Sequence, residues 1–343
     1  MRVLLTGADG YIGCLMGPRL MRDGFDVVGL DTGFYRSGWL FNGVDATPQT
    51  ITKDIRHVTV EDLRGFDAVV HLAELSNDPI GALAPHITFE INHKGSVRLA
   101  EMARDAGVSQ FVYMSSCSVY GIAEEGEVDE TSPANPQTAY AECKLLVERD
   151  VTSLATDDFS PTFLRNATAY GASPRQRFDI VINNLAGVAH TTGRIVMESD
   201  GTPWRPFVHI QDMGKLVSTV LSVPRERVHN QIVNVGSTNQ NYQVKEISDT
   251  IGTTFTGCEV VYGSRGGDTR SYRVNFDKLA TMLPEFSCDW DVVKGVAQLK
   301  RVFDAVDLTE ELFFSPHFTR LKRLNYLLAT GQLDPDFFWT PLP

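Results

Sequence analysis

A tyrosine and a lysine at helical spacing, Tyr140 and Lys144, could do chemistry together. On a helix, side chains at positions i and i+4 lie on the same face, so the ammonium would lie beside the phenol. Its charge favours the ionised phenol and would lower a pKa that is normally near ~10. The spacing also arises by chance, but Ser115 and Ser116 end a predicted strand upstream and can offer a hydroxyl to the same substrate oxygen. The set predicts general acid–base catalysis near neutral pH.

A glycine-rich turn near the start of the chain predicts dinucleotide binding. Gly7, Gly10 and Gly13 follow one apolar run, and Asp31 ends the next. Such glycines permit a tight turn, the approach of a pyrophosphate and close packing of a helix on the sheet, and the helix start favours negative charge. Asp31 follows at about the ~20-residue separation expected of an acid that binds the ribose 2′-hydroxyl. Its carboxylate would repel a 2′-phosphate, so we expect NAD rather than NADP.

Alternating strands and helices must position these residues. Apolar runs predict strands at 27–30, 68–72, 110–115 and 162–165, with helices at about 11–22, 80–105 and 139–156. This alternation predicts an α/β fold with a Rossmann-type, doubly wound parallel sheet. Ligands of such sheets lie beyond the carboxyl ends of the strands. Polar residues that follow the strands therefore predict one shared site; they are Asp54, His71, Glu74, Ser115, Ser116 and Asn166.

The sequence pattern changes beyond Tyr170, where the predicted strands and helices become shorter. We expect residues 1–170 to form an NAD-binding Rossmann domain. Residues 171–343 should form mainly a smaller, mixed substrate-binding lobe, with the chain returning to the sheet near 206–235. Apolar residues at helical spacing predict one covering helix over 308–333.

Composition limits the class of protein. The 343 residues carry a net charge of −12, which argues against nucleic-acid and membrane-surface partners. No apolar run approaches the ~18 residues that a membrane span needs. Arg2 leads straight into the first predicted strand, so we expect no secretory signal. The 5 cysteines are scattered and form no CxxC pair, which favours neither a metal site nor disulfides and suggests a reduced, cytoplasmic setting.

In combination, the motifs resemble the extended short-chain dehydrogenase/reductases, specifically the nucleotide-sugar epimerase/dehydratase group that includes UDP-glucose 4-epimerase. The resemblance covers about residues 1–290. The residues that carry it are Thr6 to Gly13, Asp54-Ile55, His71-Leu72-Ala73, Asn92, the stretch from Ser115 to Gly121, and Tyr140 with Lys144.

The resemblance implies roles for individual residues. Ser116 and Tyr140 would be catalytic, and Lys144 would tune Tyr140 and bind the nicotinamide ribose. The implied NAD contacts are Gly7, Gly10, Tyr11, Ile12, Gly13, Asp31, Asp54, Ile55, Leu72, Ala73, Glu74, Asn92, Ser115, Tyr140 and Lys144. The implied contacts to a nucleotide-diphosphate sugar are Ser116, Cys117, Asn166, Asn184, Arg205 and Arg265.

The implied reaction is 4-epimerisation: Tyr140 takes a proton from a sugar hydroxyl, hydride moves from C4 to NAD, and Ser116 steadies the oxygen. Two positions depart from the family pattern. Cys117 and Ser118 stand where its 4,6-dehydratases carry an Asp-Glu pair, which disfavours dehydration, although a cysteine could act as a base. Glu74 stands where alanine is usual, and it is either a structural carboxylate or an extra acid–base group.

Several alternatives stay open. A 4-ketoreductase that uses exchangeable NAD(P)H would need the same catalytic residues, a dehydratase comes third, and a dinucleotide-sensing protein is the non-enzyme alternative. Family members often dimerise through a four-helix contact, so the resemblance implies a homodimer through the helices near 80–105 and 139–156. The sequence does not indicate the sugar or the nucleotide base.

Overall fold

The computed structural model of the chain describes residues 1–44, 46–76, 78–264 and 270–341. Its strands are β1 (Arg2–Thr6), β2 (Asp26–Asp31), β3 (Gln49–Thr52), β4 (Ala68–His71), β5 (Gln110–Ser116), β6 (Ile122–Val128), β7 (Ser160–Asn166), β8 (Thr168–Tyr170), β9 (Arg194–Val196), β10 (Trp204–His209), β11 (Gln231–Val235), β12 (Asn241–Gln243), β13 (Glu259–Val261) and β14 (Ser271–Val274). Its α-helices are α1 (Gly13–Arg22), α2 (Val60–Leu63), α3 (Asp78–Leu83), α4 (Pro85–Thr88), α5 (Ser96–Asp105), α6 (Ala139–Thr152), α7 (Val181–Thr192), α8 (Ile210–Ser222), α9 (Arg225–Val228), α10 (Val244–Thr254), α11 (Asp277–Met282), α12 (Val292–Ala305), α13 (Glu310–Phe314) and α14 (Arg320–Ala329).

Seven parallel strands form the main sheet, in the order β11-β7-β5-β4-β1-β2-β3. Both faces are covered, because successive residues of β1 enter different cores. Val3 and Leu5 belong to a core that contains residues of α1 and α8, whereas Leu4 belongs to a core that contains residues of α5 and α6. The strand order reverses between β1 and β4, the place where ligands of such sheets bind. The predicted Rossmann-type fold is confirmed.

The second half of the chain adds small sheets and a third core. The sheets are β12-β10-β8, β13-β9 and β14-β6, and the core is built largely from α7, α10, α12 and α13. Of the predicted return over 206–235, β11 joins the main sheet beside β7, whereas β10 pairs with β8 and β12. The division into two lobes at residue 170 stays a prediction.

Two predicted single helices are wrong, and proline explains the main break in each. Over 80–105 the chain forms α3, α4, a π-helical segment (Phe89–Gly95) and α5. Pro85 disfavours helical backbone at Ala84, which lies at φ −135° and ψ 67°. Over 308–333 the chain forms α13, a 3₁₀ turn and α14, because Pro316 holds Ser315 at an extended ψ of 151°. The homodimer through α5 and α6 stays a prediction.

Among the described residues, we find no helix with the length and hydropathy needed to span a membrane.

Candidate active site

A cavity of about 370 Å³ opens beyond the carboxyl ends of β1, β2, β4, β5 and β7. It brings together residues from opposite ends of the chain, as the strand-end argument predicts. The predicted site residues that line it are Gly7, Gly10, Tyr11, Ile12, Gly13, Asp31, Asp54, Ile55, Leu72, Ala73, Glu74, Ser115, Ser116, Tyr140, Lys144, Asn166 and Arg205.

The glycine turn forms one wall of the cavity and depends on the absence of side chains. Gly7 lies at φ +73°, in the left-handed region, and a Cβ there would lie 2.9 Å from the Ala73 nitrogen. A Cβ at Gly13, the first residue of α1, would lie 2.1 Å from the Gly7 carbonyl oxygen. The turn therefore packs tightly enough to present the start of α1 to the cavity. Backbone N–H groups at a helix start suit a pyrophosphate.

Asp31 lies at the end of β2 and keeps its carboxylate at the cavity wall. It accepts hydrogen bonds from the Gly33 N–H at 2.7 Å and the Asp9 N–H at 3.1 Å. Burial raises its pKa to about 6, and the charge of Asp9 adds to the effect, although the two N–H donors oppose it. Each carboxylate oxygen can accept a further hydrogen bond, so Asp31 can hold a ribose hydroxyl.

The three predicted catalytic residues meet at the cavity wall. Ser116 ends β5, and Tyr140 lies in the first turn of α6, which begins after the cap that Thr138 provides to the Ala141 N–H at 3.2 Å. Ser116 and Tyr140 both line this wall. The Lys144 Nζ lies 5.4 Å from the centroid of the Tyr140 ring. The arrangement can transfer a proton to or from a substrate hydroxyl.

Lys144 is held by groups outside its own helix. Its Nζ donates to the Met114 carbonyl oxygen at 2.5 Å and lies 2.7 Å from Glu74 Oε2. The other oxygen of Glu74 accepts a hydrogen bond from the Tyr113 hydroxyl at 2.6 Å. The side chains of Lys144 and Glu74 are 4% and 2% exposed, so this is a fully buried ion pair.

The pKa of Tyr140 differs from expectation. Burial raises it above its ordinary value, and the charges of Glu74 and Asp78 act in the same direction. Lys144 lowers it, as the sequence predicts, and the Ser116 hydroxyl acts in the same direction, but together they do not outweigh burial. The expectation of a lowered pKa is therefore wrong, because an i,i+4 spacing carries no information about desolvation.

The sequence that forms this site matches the model of a known protein family. The model of the NAD dependent epimerase/dehydratase family matches residues 3–236. This chain belongs to that family. It is an NAD-dependent enzyme, and the glycine turn with Asp31 fits that cofactor by both conformation and chemistry.

Three known proteins illustrate what this chain is similar to. The UDP-glucose 4-epimerase of Lactobacillus helveticus is 26% identical over 82% of this chain and 91% of its own length. The structure of MoeE5 in complex with UDP-glucose and NAD is 28% identical, with a TM-score of 0.76 over 90% of this chain and 100% of that one. The NAD-dependent NDP-hexosamine 5,6-dehydratase TunA, at 23% identity, shares the fold with a TM-score of 0.78 over 90% of this chain and 99% of that one.

Three contacts that the family resemblance implied do not line the cavity. Asn92 instead bonds both backbone groups of Leu75, at 2.8 and 3.0 Å, and so shapes the loop after β4. Cys117 is buried and its Sγ donates to the Arg165 carbonyl oxygen at 3.1 Å. Asn184 donates to the Phe178 carbonyl oxygen at 2.8 Å. Arg265 lies outside the described residues.

Asn166 and Arg205 do reach the cavity. The Asn166 amide nitrogen donates to the carbonyl oxygens of Ser115 and Leu164, whereas Asn166 Oδ1 has no hydrogen-bond partner in the described part of the chain. That oxygen therefore keeps its capacity to accept a hydrogen bond. Arg205 is 7% exposed and donates to the Trp204 carbonyl oxygen at 2.8 Å.

Sequence reasoning missed a set of charged residues in the cavity wall. Arg177 lies 2.8 Å from Asp179 and donates to Ser76 Oγ at 3.0 Å, and Arg270 lies 2.7 Å from Asp78. Arg320, from α14, also lines the cavity. Burial lowers the pKa of Arg320 to about 10, with help from the charge of Arg177. These residues come from loops and from a distant helix, so no local pattern marks them.

Proposed function

We propose that the protein is an NAD-dependent epimerase that inverts C4 of a uridine-diphosphate sugar. This proposal rests on one observation above all: Ser116, Tyr140 and Lys144 line the same cavity as Asp31 and the glycine turn. The Lactobacillus relative is itself a UDP-glucose 4-epimerase, and MoeE5 is a complex with UDP-glucose and NAD. Both support the same choice of nucleotide.

Each residue of the site has a separate role in the proposed reaction. Tyr140 takes the proton of the C4 hydroxyl and returns a proton to the same oxygen after the sugar has turned. Ser116 donates a hydrogen bond to that oxygen while it is a carbonyl. Lys144 orients the ribose and contributes positive charge near the phenol. Bound NAD would supply the hydride acceptor for oxidation at C4 and the hydride for reduction of its other face. Asn166 Oδ1 accepts a hydrogen bond from a sugar hydroxyl.

Dehydration needs a base for the C5 proton and an acid for the leaving hydroxyl, and this chain offers neither at the expected positions. Burial raises the pKa of the Cys117 thiol well above its ordinary value. Since its Sγ also bonds the Arg165 carbonyl oxygen, Cys117 is unsuited to act as a base. Ser118 lines the cavity, but a serine hydroxyl is a poor acid.

A second candidate, reduction of a 4-keto nucleotide sugar, is favoured by the raised pKa of Tyr140. A protonated phenol is ready to donate a proton to a substrate oxygen that receives a hydride. Retention of the cofactor separates the two candidates, because an epimerase regenerates its NAD in each turnover whereas a reductase exchanges it.

The test has two stages. The purified protein is denatured and its supernatant assayed for NAD and NADH, and the native protein is incubated with UDP-galactose and followed by proton NMR. We expect near-stoichiometric bound NAD and formation of UDP-glucose without added cofactor. Protein that retains NAD but converts no UDP-, dTDP- or GDP-sugar would contradict the proposal. Protein that lacks NAD and reduces 4-keto sugars with added NADH would establish the second candidate.

A matched variant tests the role of the phenol. Tyr140→Phe keeps the ring and removes the hydroxyl, so turnover should fall about 10²–10⁴-fold. Affinity for UDP, measured by calorimetry, should change little. Unchanged turnover would exclude Tyr140 as the acid–base group.

A further inference from the structure

We propose that Glu74 is a positioning residue of the active site: it serves as the counter-ion of Lys144 and, through that lysine, sets the acid–base state of Tyr140. The inference rests on the proposed role of Tyr140 in proton transfer. Its test needs no turnover, so it can fail independently of the proposed function.

The contacts of Glu74 fix its carboxylate in the wall of the active site. Its carboxylate lines the cavity directly after β4, with one oxygen 2.7 Å from Lys144 Nζ and the other accepting the Tyr113 hydroxyl at 2.6 Å. The Tyr113 hydrogen bond and the buried ion pair therefore hold the carboxylate against Lys144, and it cannot turn away without breaking both.

The first consequence concerns the donors of Lys144. An ammonium has three N–H groups. One donates to the Met114 carbonyl oxygen, and Glu74 Oε2 lies 2.7 Å from Nζ as an ion-pair partner, so at most two N–H groups remain for a cofactor ribose.

The second consequence concerns charge. With alanine at position 74, a buried lysine would compensate the negative charge of an ionised Tyr140. Here Glu74 already compensates Lys144, so a tyrosinate would add an unpaired negative charge to a buried cluster. Tyr140 is therefore a neutral phenol at rest. Before Tyr140 can take the proton of the C4 hydroxyl, the phenol must lose its own proton to water, so Glu74 makes the basic form of Tyr140 the rarer one.

The other groups around Tyr140 support this assignment. From α6 it faces Lys144, from the loop after β4 it faces Glu74, and from α3 it faces Asp78, which lies 2.7 Å from Arg270. Tyr113, on β5, holds Glu74. His71, at the end of β4, adds no charge at neutral pH because burial lowers its pKa to about 3.

The experiment is a direct titration of Tyr140. Tyrosine labelled with ¹³C at Cζ is incorporated into the full-length protein, and Tyr140→Phe identifies the Tyr140 signal among those of the 10 tyrosines. In the unmodified protein, the Tyr140 signal should not titrate at or below its ordinary pKa of 10.0. In Glu74→Gln, the acid dissociation constant of Tyr140 should rise by about tenfold or more, because an uncompensated ammonium favours the phenolate.

The matched control is Asp212→Asn, which removes a buried carboxylate of α8, one that accepts hydrogen bonds from the N–H groups of Asp289 and Trp290. It should leave the Tyr140 titration within a factor of about two, since α8 packs in the core on the other face of the main sheet from α5 and α6. A double variant, Glu74→Gln with Lys144→Met, should lose the effect of Glu74→Gln, because the lysine that transmits it is gone.

Glu74→Ala gives the same information if Glu74→Gln does not fold. An unchanged Tyr140 titration in either folded variant overturns the proposal. It would mean that Lys144 loses its own proton when the carboxylate is removed, or that Glu74 is purely structural.

Discussion

Arg165 and Glu148 form a buried ion pair in which Arg165 Nη2 lies 2.7 Å from Glu148 Oε2. Arg165 Nη1 also donates to the Tyr120 hydroxyl at 3.0 Å, and the Ser115 hydroxyl donates to Glu148 at 2.5 Å. The pair joins β7 to α6, the helix that carries Tyr140. It therefore holds the acid–base helix against the strand ends that form the cavity.

Removal of one member of this pair should be costly. Arg165→Met leaves Glu148 buried without its cation, and we expect the free energy of unfolding to fall by about 3–5 kcal/mol. Urea unfolding measures the change. The control Arg64→Met removes an ion pair whose side chains are 65% and 73% exposed, and it should cost less than ~1 kcal/mol. Similar losses in both variants would contradict this prediction.

Substitution by alanine should destabilise the protein at Gly13, where there is no space for a Cβ, but not at Gly214, where there is. A Cβ at Gly13 meets the Gly7 carbonyl oxygen at 2.1 Å, so Gly13→Ala must displace the turn from α1. We expect the free energy of unfolding, measured by thermal denaturation, to fall by about 1–3 kcal/mol. We also expect the affinity for NAD to weaken. Gly214→Ala, whose new Cβ meets nothing closer than 3.7 Å, should be neutral or slightly stabilising. Equal NAD affinity in the two variants would show that the turn does not hold the cofactor.

The preference for NAD should depend on Asp31 and on an arginine nearby. Arg36 lies 2.7 Å from Asp9 and donates to Thr52 Oγ1 at 3.0 Å. Asp31→Asn removes the negative charge that opposes a 2′-phosphate, and Arg36 can then meet it. We expect the affinity for NADP relative to NAD to rise about tenfold, measured by calorimetry. The double variant with Arg36→Met should lose most of that gain; a gain that persists would assign the preference to other residues.

The affinity for NAD should fall in mild acid. The pKa of Asp31 is about 6 in the folded chain against 3.8 ordinarily, so the folded state binds this proton first as the pH falls. As the pH falls from about 6 to 3.8, protonation of Asp31 therefore raises the free energy of unfolding. The same protonation removes a carboxylate acceptor from the ribose site. At about pH 5, the affinity for NAD should be about tenfold weaker than at neutral pH. Asp31→Asn should show a flatter profile, and identical profiles would exclude Asp31 as the titrating group.

Features that depend on residues close together in the chain can be predicted from the sequence. The run from Arg2 to Asp31 specifies strand, turn, helix and acid within one unit, and the structure has β1, the turn, α1 and β2 there. Apolar runs located β4, β5 and β7 to within a few residues. Because parallel strands share one carboxyl edge, the sequence places Asp31 and Ser116, which end two of these strands, at one site.

The charge state of these groups, and the further residues that surround them, depend on contacts between distant parts of the chain. Glu74 and Lys144 are distant in sequence but 2.7 Å apart, and Arg177 and Arg320 reach the same cavity from segments with no shared motif. The pKa of Tyr140 depends on the balance between a neighbouring cation and burial, and the sequence indicates the cation alone. Coulombic interactions and desolvation act through distances in space, which chain separation does not specify beyond one turn of a helix.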